Sequence, residues 1–173
     1  MHEIETRAAK TAEQLVECLS KKSCRLALAE SCTAGLVSDF IARISGASVV
    51  LWGSFVCYSA SAKGRMLGID GDFLKRHGMV SKETAQKMAC AALDLSQADI
   101  AAAVTGIAGP LGDGSDTPVG TVWVAVAKRK KANDDVEPEC LHEEKEWHFQ
   151  GNRADVRMQA AEAVIKALLE ALA

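Results

Sequence analysis

Two short stretches of the chain, Ile100–Val104 and Val119–Ala127, are apolar almost throughout. A β-strand without polar positions has to be covered on both faces, as strands are in the parallel sheets of α/β proteins. Arg25–Ala29 is a third short stretch of this kind, and Val49–Tyr58 is rich in the β-branched and aromatic residues that favour strands. This pattern constrains the fold most, because it requires helices on both sides of a sheet.

Helices are predicted between these strands. Ser81 is a suitable N-cap for one that reaches Leu93 or Leu95. Apolar residues recur at helical spacing in three further segments, which are Ile4–Leu19, Leu36–Ile44 and Arg153–Leu172. Leu141–Phe149 alternates between apolar and polar residues, which predicts a half-exposed edge strand after a hairpin loop at 128–139. The chain is therefore expected to form one three-layer α/β domain over residues 1–173, with a mixed sheet.

The composition excludes several classes of protein. The net charge is -3, and the one basic run, Lys128–Lys131, is followed by acidic residues, which is typical of a solvated loop. The six cysteines form no Cys-x-x-Cys pair, which argues against a zinc site and a secreted disulfide framework. No segment has the apolar length of a signal peptide or a membrane span. We expect a cytoplasmic protein with reduced thiols and without a metal, a cofactor, or a nucleic-acid or membrane partner.

A serine follows the first predicted strand directly, where a helix begins. Ser31 lies in the segment Ala29–Gly35, and sites in α/β sheets form at the carboxyl ends of strands. The free N–H groups at a helix start can bind an anion or stabilise a developing oxyanion. The alternative is that Ser31 or Thr33 is a helix N-cap. The two interpretations are compatible, because two hydroxyl groups flank this helix start.

A tyrosine and a lysine follow the second predicted strand. Tyr58 is the one tyrosine of the chain, and Lys63 lies five residues later. A serine nucleophile needs a base, and a lysine serves if burial lowers its pKa so that the amine is neutral. The alternative is an ordinary surface lysine, with a histidine as base; the rivals are His77, His142 and His148.

A glycine-dense segment, Thr105–Ser115, follows the strand at 100–104. Glycines let the backbone approach a ligand closely and present N–H groups to an anion. The spacing matches neither a phosphate-binding Walker loop nor the dinucleotide fingerprint. A flexible connection is the alternative, although Pro110 and Pro118 favour a loop of fixed shape.

Together and in this order, these motifs resemble the CinA C-terminal-domain family. The similarity covers residues 5 to 172, nearly the whole chain. Besides the three motifs above, the similarity includes a histidine–glycine segment in the middle of the chain and a phenylalanine–glycine–arginine segment after residue 148. The matching motifs are Ala29–Gly35, Tyr58-Ser59-x-x-Ala62-Lys63, His77-Gly78-x-Val80-Ser81, Ala103–Pro110, Pro118–Val122 and Phe149-x-Gly151-x-Arg153.

The resemblance implies a nicotinamide-nucleotide amidohydrolase, which converts nicotinamide mononucleotide and water to nicotinate mononucleotide and ammonia. It also implies a three-layer α/β/α sandwich on a mixed, mostly parallel sheet. Ser31 would be the nucleophile, Lys63 its base, Tyr58 a partner in their network, and Thr105 a residue of the pocket. Backbone groups would bind the substrate, with Arg43 or Arg153 as helpers for its phosphate; we assign this binding to Thr33, Gly35, Gly106, Ala108, Gly109 and Gly112.

Three residues depart from the usual pattern of this family. Ala34 replaces a common glycine, which should be tolerated early in a helix, and Ala60 stands where asparagine is frequent. Leu111 replaces a glycine in the loop, where a backbone turn with positive φ would be lost or shifted. Two alternatives follow: a nucleotide-binding relative without turnover, and a serine–lysine hydrolase of another amide. The apolar segment Val49–Val56 favours a homo-oligomer.

Overall fold

A computed structural model describes residues 2–129 and 145–173. These two ranges contain seven helices and five strands. In chain order they are α1 (His2–Lys21), β1 (Leu26–Glu30), α2 (Leu36–Ala42), α3 (Ala47–Val50), β2 (Leu51–Val56), α4 (Ala60–Leu67), α5 (Gly71–His77), α6 (Lys82–Ser96), β3 (Ile100–Gly106), β4 (Thr121–Lys128), β5 (Lys145–His148) and α7 (Arg153–Leu172).

The five strands form one mixed sheet in the order β2-β1-β3-β4-β5. β1 pairs in parallel with β2 and β3, whereas β4 is antiparallel to β3 and β5 is antiparallel to β4. The carboxyl ends of β1, β2 and β3 therefore meet at one edge of the sheet. The chain passes from β1 to β2 on one side and returns to β3 on the other, which creates a switch point of the kind where α/β proteins bind ligands.

Alternate residues of the central strands face two different cores. Large apolar residues point to the layer of α1, α2 and α7, as Leu26, Leu28 and Ile100 do. Alanines point to the opposite layer, where α6 packs closely; they are Ala27, Ala29, Ala101, Ala103, Ala125 and Ala127. This alternation follows from the two-residue period of a strand, and it confirms the predicted α/β/α sandwich.

Polar side chains cap the helices that face the candidate site. The Ser59 and Ser81 hydroxyls accept hydrogen bonds from the third residue of α4 and α6, so the predicted N-cap at Ser81 is confirmed. Asn152 and Asp155 form a capping box at the start of α7. These caps fix the helix starts at the edge of the sheet where β1, β2 and β3 end.

Two details differ from the sequence-based predictions, and a third lies outside the residues that the structure describes. The predicted strand at Val49–Tyr58 is shorter, because Ala47–Val50 forms a helical turn before β2. Most of the predicted hairpin loop and part of the predicted edge strand, residues 130–144, lie outside the described residues. Cys90 is disulfide-bonded, whereas we predicted reduced thiols throughout. Among the described cysteines, those outside a disulfide are Cys18, Cys24, Cys32 and Cys57.

No helix within residues 2–129 and 145–173 combines the length and the apolar character that a membrane crossing requires.

Candidate active site

Ser31 and Lys63 form a direct, buried contact at the carboxyl edge of the sheet. Ser31 follows β1, and Lys63 lies on α4, which begins shortly after β2. The Lys63 Nζ donates a hydrogen bond of 2.9 Å to Ser31 Oγ. The same nitrogen donates to the Cys57 carbonyl at 3.2 Å, which orients the amine toward the serine. The fold thus joins two side chains that are 32 residues apart in the sequence.

Lys63 is fully buried, with a relative exposure of 0%. Burial lowers the pKa of its ammonium group, because the charged form loses its hydration; the Cys57 and Cys32 thiols oppose this effect. Burial also raises the pKa of the Cys32 thiol to about 12, although the Lys63 charge opposes this. The thiol next to Ser31 therefore stays protonated, and Lys63 is the side chain whose environment favours a neutral base.

A tight turn carries the nucleophile from β1 to α2. The Ser31 N–H donates to the Val104 carbonyl at 3.0 Å, and the Ala34 N–H donates to the Ser31 carbonyl at 3.1 Å. Ala34 has a φ of 51°, in the left-handed region that favours glycine. Ala34 thus lies in the turn before α2, whereas we expected it in the first turn of the helix, where alanine is unstrained.

The carboxylate of Glu30 caps the start of α2 by accepting hydrogen bonds from its backbone amides. It accepts hydrogen bonds from the N–H groups of Gly35, Val37 and Ser38, and from the Ser38 hydroxyl, at 2.8–3.1 Å. The Ser54 hydroxyl donates to the same carboxylate at 3.3 Å. Since these donors are taken, they do not supply the oxyanion site that the sequence predicted at this helix start.

Tyr58 contacts Arg153 and not the serine–lysine pair. Its hydroxyl accepts a hydrogen bond of 2.5 Å from the Arg153 guanidinium, which also donates to the Gly109 carbonyl at 2.8 Å. The tyrosine is 52% exposed. The structure therefore places its hydroxyl with the arginine at the rim of the cavity.

Thr105 supports a loop that borders the site. Its buried hydroxyl donates to the Met79 carbonyl at 2.7 Å, and the Thr84 hydroxyl donates to the Gly78 carbonyl at 2.6 Å. These two bonds hold the segment between α5 and α6 beside the carboxyl end of β3. The Thr105 hydroxyl thus contributes to the shape of the pocket wall.

A cavity of about 200 Å³ opens beside Ser31. Seven of the ten residues assigned from the sequence line it, which are Ser31, Tyr58, Thr105, Gly106, Ala108, Gly109 and Gly112. Lys63 lies behind Ser31, outside the lining. Further lining residues had no role in the sequence-based assignment, namely Cys32, Met79, Val80, Ile107, Leu111 and Asp113.

Besides Lys63, two assigned residues lie outside the cavity lining, which are Thr33 and Gly35. The Gly35 N–H donates to Glu30, so it is not available to a substrate. The Thr33 hydroxyl is buried, and it finds no hydrogen-bond partner among the residues that the structure describes. Gly106 lines the cavity, but it also has a packing role, because a Cβ there would lie 2.7 Å from the Thr121 carbonyl oxygen.

Three arginines bear on the predicted phosphate site or on the turn after Ser31. Arg153 lines the cavity, as one of the two helpers suggested for a phosphate. The other, Arg43, forms salt bridges with Asp39 and Glu5 and does not line this cavity. Arg157 was missed by the sequence reasoning. Its guanidinium binds the Cys32 and Thr33 carbonyls, and its position one helical turn after Arg153 is the signal that could have indicated it.

Residues 2–129 and 145–173 contain no cluster of three or more His, Cys, Asp or Glu side chains that could hold a metal ion. The described residues at the site supply four kinds of chemical group. These are a serine hydroxyl, a buried amine, a cation at the cavity rim and the backbone amides of two loops.

Comparisons with known proteins agree with the predicted family. The family model of the CinA C-terminal domain matches residues 8–172. A CinA-like protein of Syntrophus aciditrophicus is 40% identical over 156 residues, which are 90% of this chain and 35% of that protein. A CinA-like protein of Syntrophomonas wolfei is 38% identical over 151 residues, with 87% and 34% covered. The chain spans about a third of the length of these curated relatives.

A solved structure has the same fold. The competence/damage inducible protein CihA from Agrobacterium tumefaciens superposes with a TM-score of 0.85 at 33% identity, over 96% of this chain and 95% of that one. The motifs, the mixed five-stranded sheet and these matches agree over nearly the full length. The chain belongs to the CinA C-terminal domain family.

Proposed function

We propose that the chain is an amidohydrolase in which Ser31 attacks a carboxamide and Lys63 acts as its base. The observation that carries this proposal is the 2.9 Å contact between Lys63 Nζ and Ser31 Oγ beside a cavity. This distance lies within the reach of a general base. An ordinary surface lysine would not be fully buried, as Lys63 is, whereas a catalytic lysine that acts as a neutral amine benefits from burial.

The reaction would proceed in two steps. Ser31 Oγ bonds to the amide carbon while the neutral Lys63 amine takes the hydroxyl proton. Lys63 then returns this proton to the nitrogen as the carbon–nitrogen bond breaks, which releases ammonia and leaves an ester on Ser31. A water molecule gives a proton to Lys63 and attacks the ester, and the amine returns that proton to Ser31 as the acid product leaves.

We propose nicotinamide mononucleotide as the substrate, as the family resemblance implies. Three features of the cavity support a nucleotide with one phosphate. Arg153 places a guanidinium at the rim, where it can pair with a phosphate. Asp113 adds a carboxylate that can accept hydrogen bonds from ribose hydroxyls, and Met79 and Val80 offer an apolar wall to an aromatic ring.

The test is ammonia release from nicotinamide mononucleotide by the purified chain and by Ser31→Ala. We expect turnover by the wild type and none above background by Ser31→Ala. Turnover that survives Ser31→Ala would overturn the nucleophile. Tight binding of the nucleotide without ammonia release would favour a binding protein of the same fold. Neither binding nor release would favour a different amide substrate.

Nicotinamide riboside, which lacks the phosphate, is the matched control substrate. We expect a much lower kcat/KM for the riboside, with the difference reduced in Arg153→Ala. Equal loss on both substrates would exclude Arg153 as the phosphate-binding residue.

We also propose that the protein works in the cytoplasm as a homo-oligomer. Support for the assembly comes from the edge strand β2 and the turn before it, which expose Val49, Trp52 and Val56 by 69%, 40% and 40%. Exposed apolar side chains on an edge strand are typical of contact surfaces. Light scattering tests the assembly, and a monomer at micromolar concentration would contradict it.

A further inference from the structure

A second cavity adjoins the cavity beside Ser31, and we call it the α7 cavity because the start of α7 forms one side of it. It has a volume of about 660 Å³ and is lined by residues 108–110, Val119, residues 151–154 and Arg157. Three residues, Ala108, Gly109 and Arg153, line both cavities. Because the two cavities share this wall, one ligand can occupy both.

The cavity beside Ser31 is too small for a whole mononucleotide. Its volume is about 200 Å³, whereas pockets for small-molecule ligands have volumes of about 300–1,000 Å³. A mononucleotide consists of a base, a ribose and a phosphate. When the carboxamide of the base lies at Ser31, the phosphate is at the far end of the molecule. The phosphate is therefore the group that extends past Ala108 and Gly109 into the α7 cavity.

Two guanidinium groups line the α7 cavity. Arg153 and Arg157 are an i,i+4 pair on α7, so their side chains project from the same face of the helix. Neither forms a salt bridge with a carboxylate within the part of the chain that the structure describes. The Asp155 carboxylate, between them in the sequence, accepts a hydrogen bond from the Asn152 N–H. Two cations without a neutralising carboxylate suit a group with nearly two negative charges, which a phosphate monoester carries at neutral pH.

Each guanidinium is held by two hydrogen bonds and retains a further N–H group. Arg153 uses Nη1 and Nη2 for the two bonds described above. Arg157 donates through Nε to the Cys32 carbonyl at 3.1 Å and through Nη2 to the Thr33 carbonyl at 2.6 Å. Among the described residues, Arg153 Nε and Arg157 Nη1 have no acceptor. Because a guanidinium is planar, the bonds that it makes fix the directions of its remaining N–H groups.

The backbone amides at the start of α7 are already occupied. The Asn152 side chain accepts hydrogen bonds from the Ala154 and Asp155 N–H groups, and the Asn152 carbonyl accepts one from the Val156 N–H. An anion in the α7 cavity therefore depends on the two guanidinium groups and not on the helix start.

We propose that the α7 cavity binds the phosphate of the substrate whose carboxamide lies at Ser31, with Arg157 as a second phosphate-binding residue beside Arg153. This inference rests on the proposed amidohydrolase function. It makes Arg157 a specificity-determining residue, which contributes to the binding of a nucleotide but not of the corresponding nucleoside. Arg157 also holds the turn after Ser31, so the experiment has to separate phosphate binding from this structural role.

The experiment compares nicotinamide mononucleotide with nicotinamide riboside in the wild type, Arg157→Ala and Arg157→Gln. The measured quantity is the ratio of the two kcat/KM values for ammonia release. Loss of a phosphate contact lowers kcat/KM for the nucleotide alone, whereas a distorted turn lowers it for both substrates and leaves the ratio unchanged. We expect both variants to lower the ratio about 10- to 100-fold, the value of a charged hydrogen bond. An unchanged ratio in either folded variant would overturn the proposal.

Arg157→Gln is included in case Arg157→Ala does not fold. The glutamine amide nitrogen takes the position of the arginine Nε, so it can still donate to the Cys32 carbonyl. The charge and both Nη groups are lost. This variant therefore removes the proposed phosphate contact while it keeps one of the two bonds to the turn.

Arg7→Gln is the matched control. It removes the same charge from a guanidinium that also binds α7, through hydrogen bonds of 2.6 and 2.9 Å to the Glu162 carboxylate. Arg7 lines neither of the two cavities. We expect Arg7→Gln to keep the wild-type ratio. If Arg7→Gln lowers the ratio as much as Arg157→Gln does, the effect is one of net charge and the proposal is overturned.

Inorganic phosphate distinguishes the phosphate of the substrate from a free phosphate ion as the occupant of the α7 cavity. If the phosphate of the nucleotide binds there, the ion should inhibit ammonia release from the nucleotide competitively. It should not compete with the riboside, which leaves the α7 cavity empty. Competition with both substrates, or with neither, would overturn the proposal.

Binding to Ser31→Ala separates this proposal from the proposed function, because binding needs no turnover. Calorimetry compares the nucleotide and the riboside in Ser31→Ala, with and without Arg157→Gln. If the wild type releases no ammonia but the nucleotide binds more tightly than the riboside, and Arg157→Gln removes this preference, the function fails and the phosphate site stands. If ammonia is released but both ligands bind Ser31→Ala equally, the function stands and the phosphate site fails. If neither ligand binds and no ammonia is released, both proposals fail.

Discussion

The side chain of Lys63 combines two properties that oppose each other in most proteins. It is fully buried, yet it carries an amine whose charged form is costly to bury. The structure balances this with hydrogen bonds to Ser31 and to the Cys57 carbonyl, both of which a neutral amine can make. The residue types and their positions after strands were visible in the sequence. The contact between the two side chains was not visible, because it depends on the pairing of β1 with β2, which brings the turn after β1 close to α4.

The Tyr58 hydroxyl has a different hydrogen-bond partner from the one that the motif suggested. The motif suggested a partner of the serine–lysine pair, but the hydroxyl binds Arg153. We expect Tyr58→Phe to raise KM for nicotinamide mononucleotide about three- to tenfold, the value of one hydrogen bond, with kcat almost unchanged. Steady-state kinetics measure both. A large fall in kcat at constant KM would instead place this hydroxyl in the proton-transfer network.

The start of α2 depends on a side chain from the preceding strand. Glu30 is 1% exposed, and its carboxylate satisfies the amides that a helix start leaves without partners. The boundaries of the long helices were predictable from periodicity and caps; α7 extends over Arg153–Leu172, as expected. The carboxylate cap of α2 was not predictable, because Glu30 is a buried strand residue. The usual N-cap position is Gly35, which has no side chain.

The substitution Glu30→Gln tests the role of this cap in the stability of α2. The amide replaces one acceptor oxygen with a donor, so at least one N–H at the start of α2 loses its partner. We expect the free energy of unfolding to fall by about 2 kcal/mol, the cost of an unsatisfied buried group. Urea denaturation measures it, with Glu13→Gln on the exposed side of α1 as control. An equal effect of the two substitutions would contradict the role of the Glu30 carboxylate.

The molecule as a whole places its reactive groups at the edge where three parallel strands end. The sandwich was predictable because apolar strands alternate with helices. The sheet order, and with it the close approach of β1 and β2 to the same cavity, was not, because strand order depends on contacts between distant segments. Alanines on one face of the sheet and larger residues on the other give the two cores different side chains, so the sheet contributes more apolar volume to one core than to the other.

The free energy of unfolding should depend on pH because Lys63 is buried. Because the pKa of Lys63 is lowered in the folded state, the unfolded chain binds the proton more tightly. The wild type should therefore gain stability relative to Lys63→Met as pH rises from the lowered pKa toward the ordinary value of 10.5. Each unit by which the pKa is lowered corresponds to about 1.4 kcal/mol.

Urea denaturation of both proteins across this range measures the difference. We expect Lys63→Met to be the more stable protein at neutral pH, with the gap closing as pH rises, although this variant loses activity. A difference in stability that does not change with pH would mean that Lys63 keeps its ordinary pKa in the folded protein.

The central claim, a Ser31 nucleophile activated by a neutral Lys63, is tested most directly by the pH dependence of kcat/KM for ammonia release from nicotinamide mononucleotide. The rate should rise with pH as the neutral amine forms, because only that form accepts the serine proton. The account predicts a rising limb whose midpoint lies below the ordinary lysine value of 10.5. A profile without a rising limb, or with a limb only at that ordinary value, would contradict it.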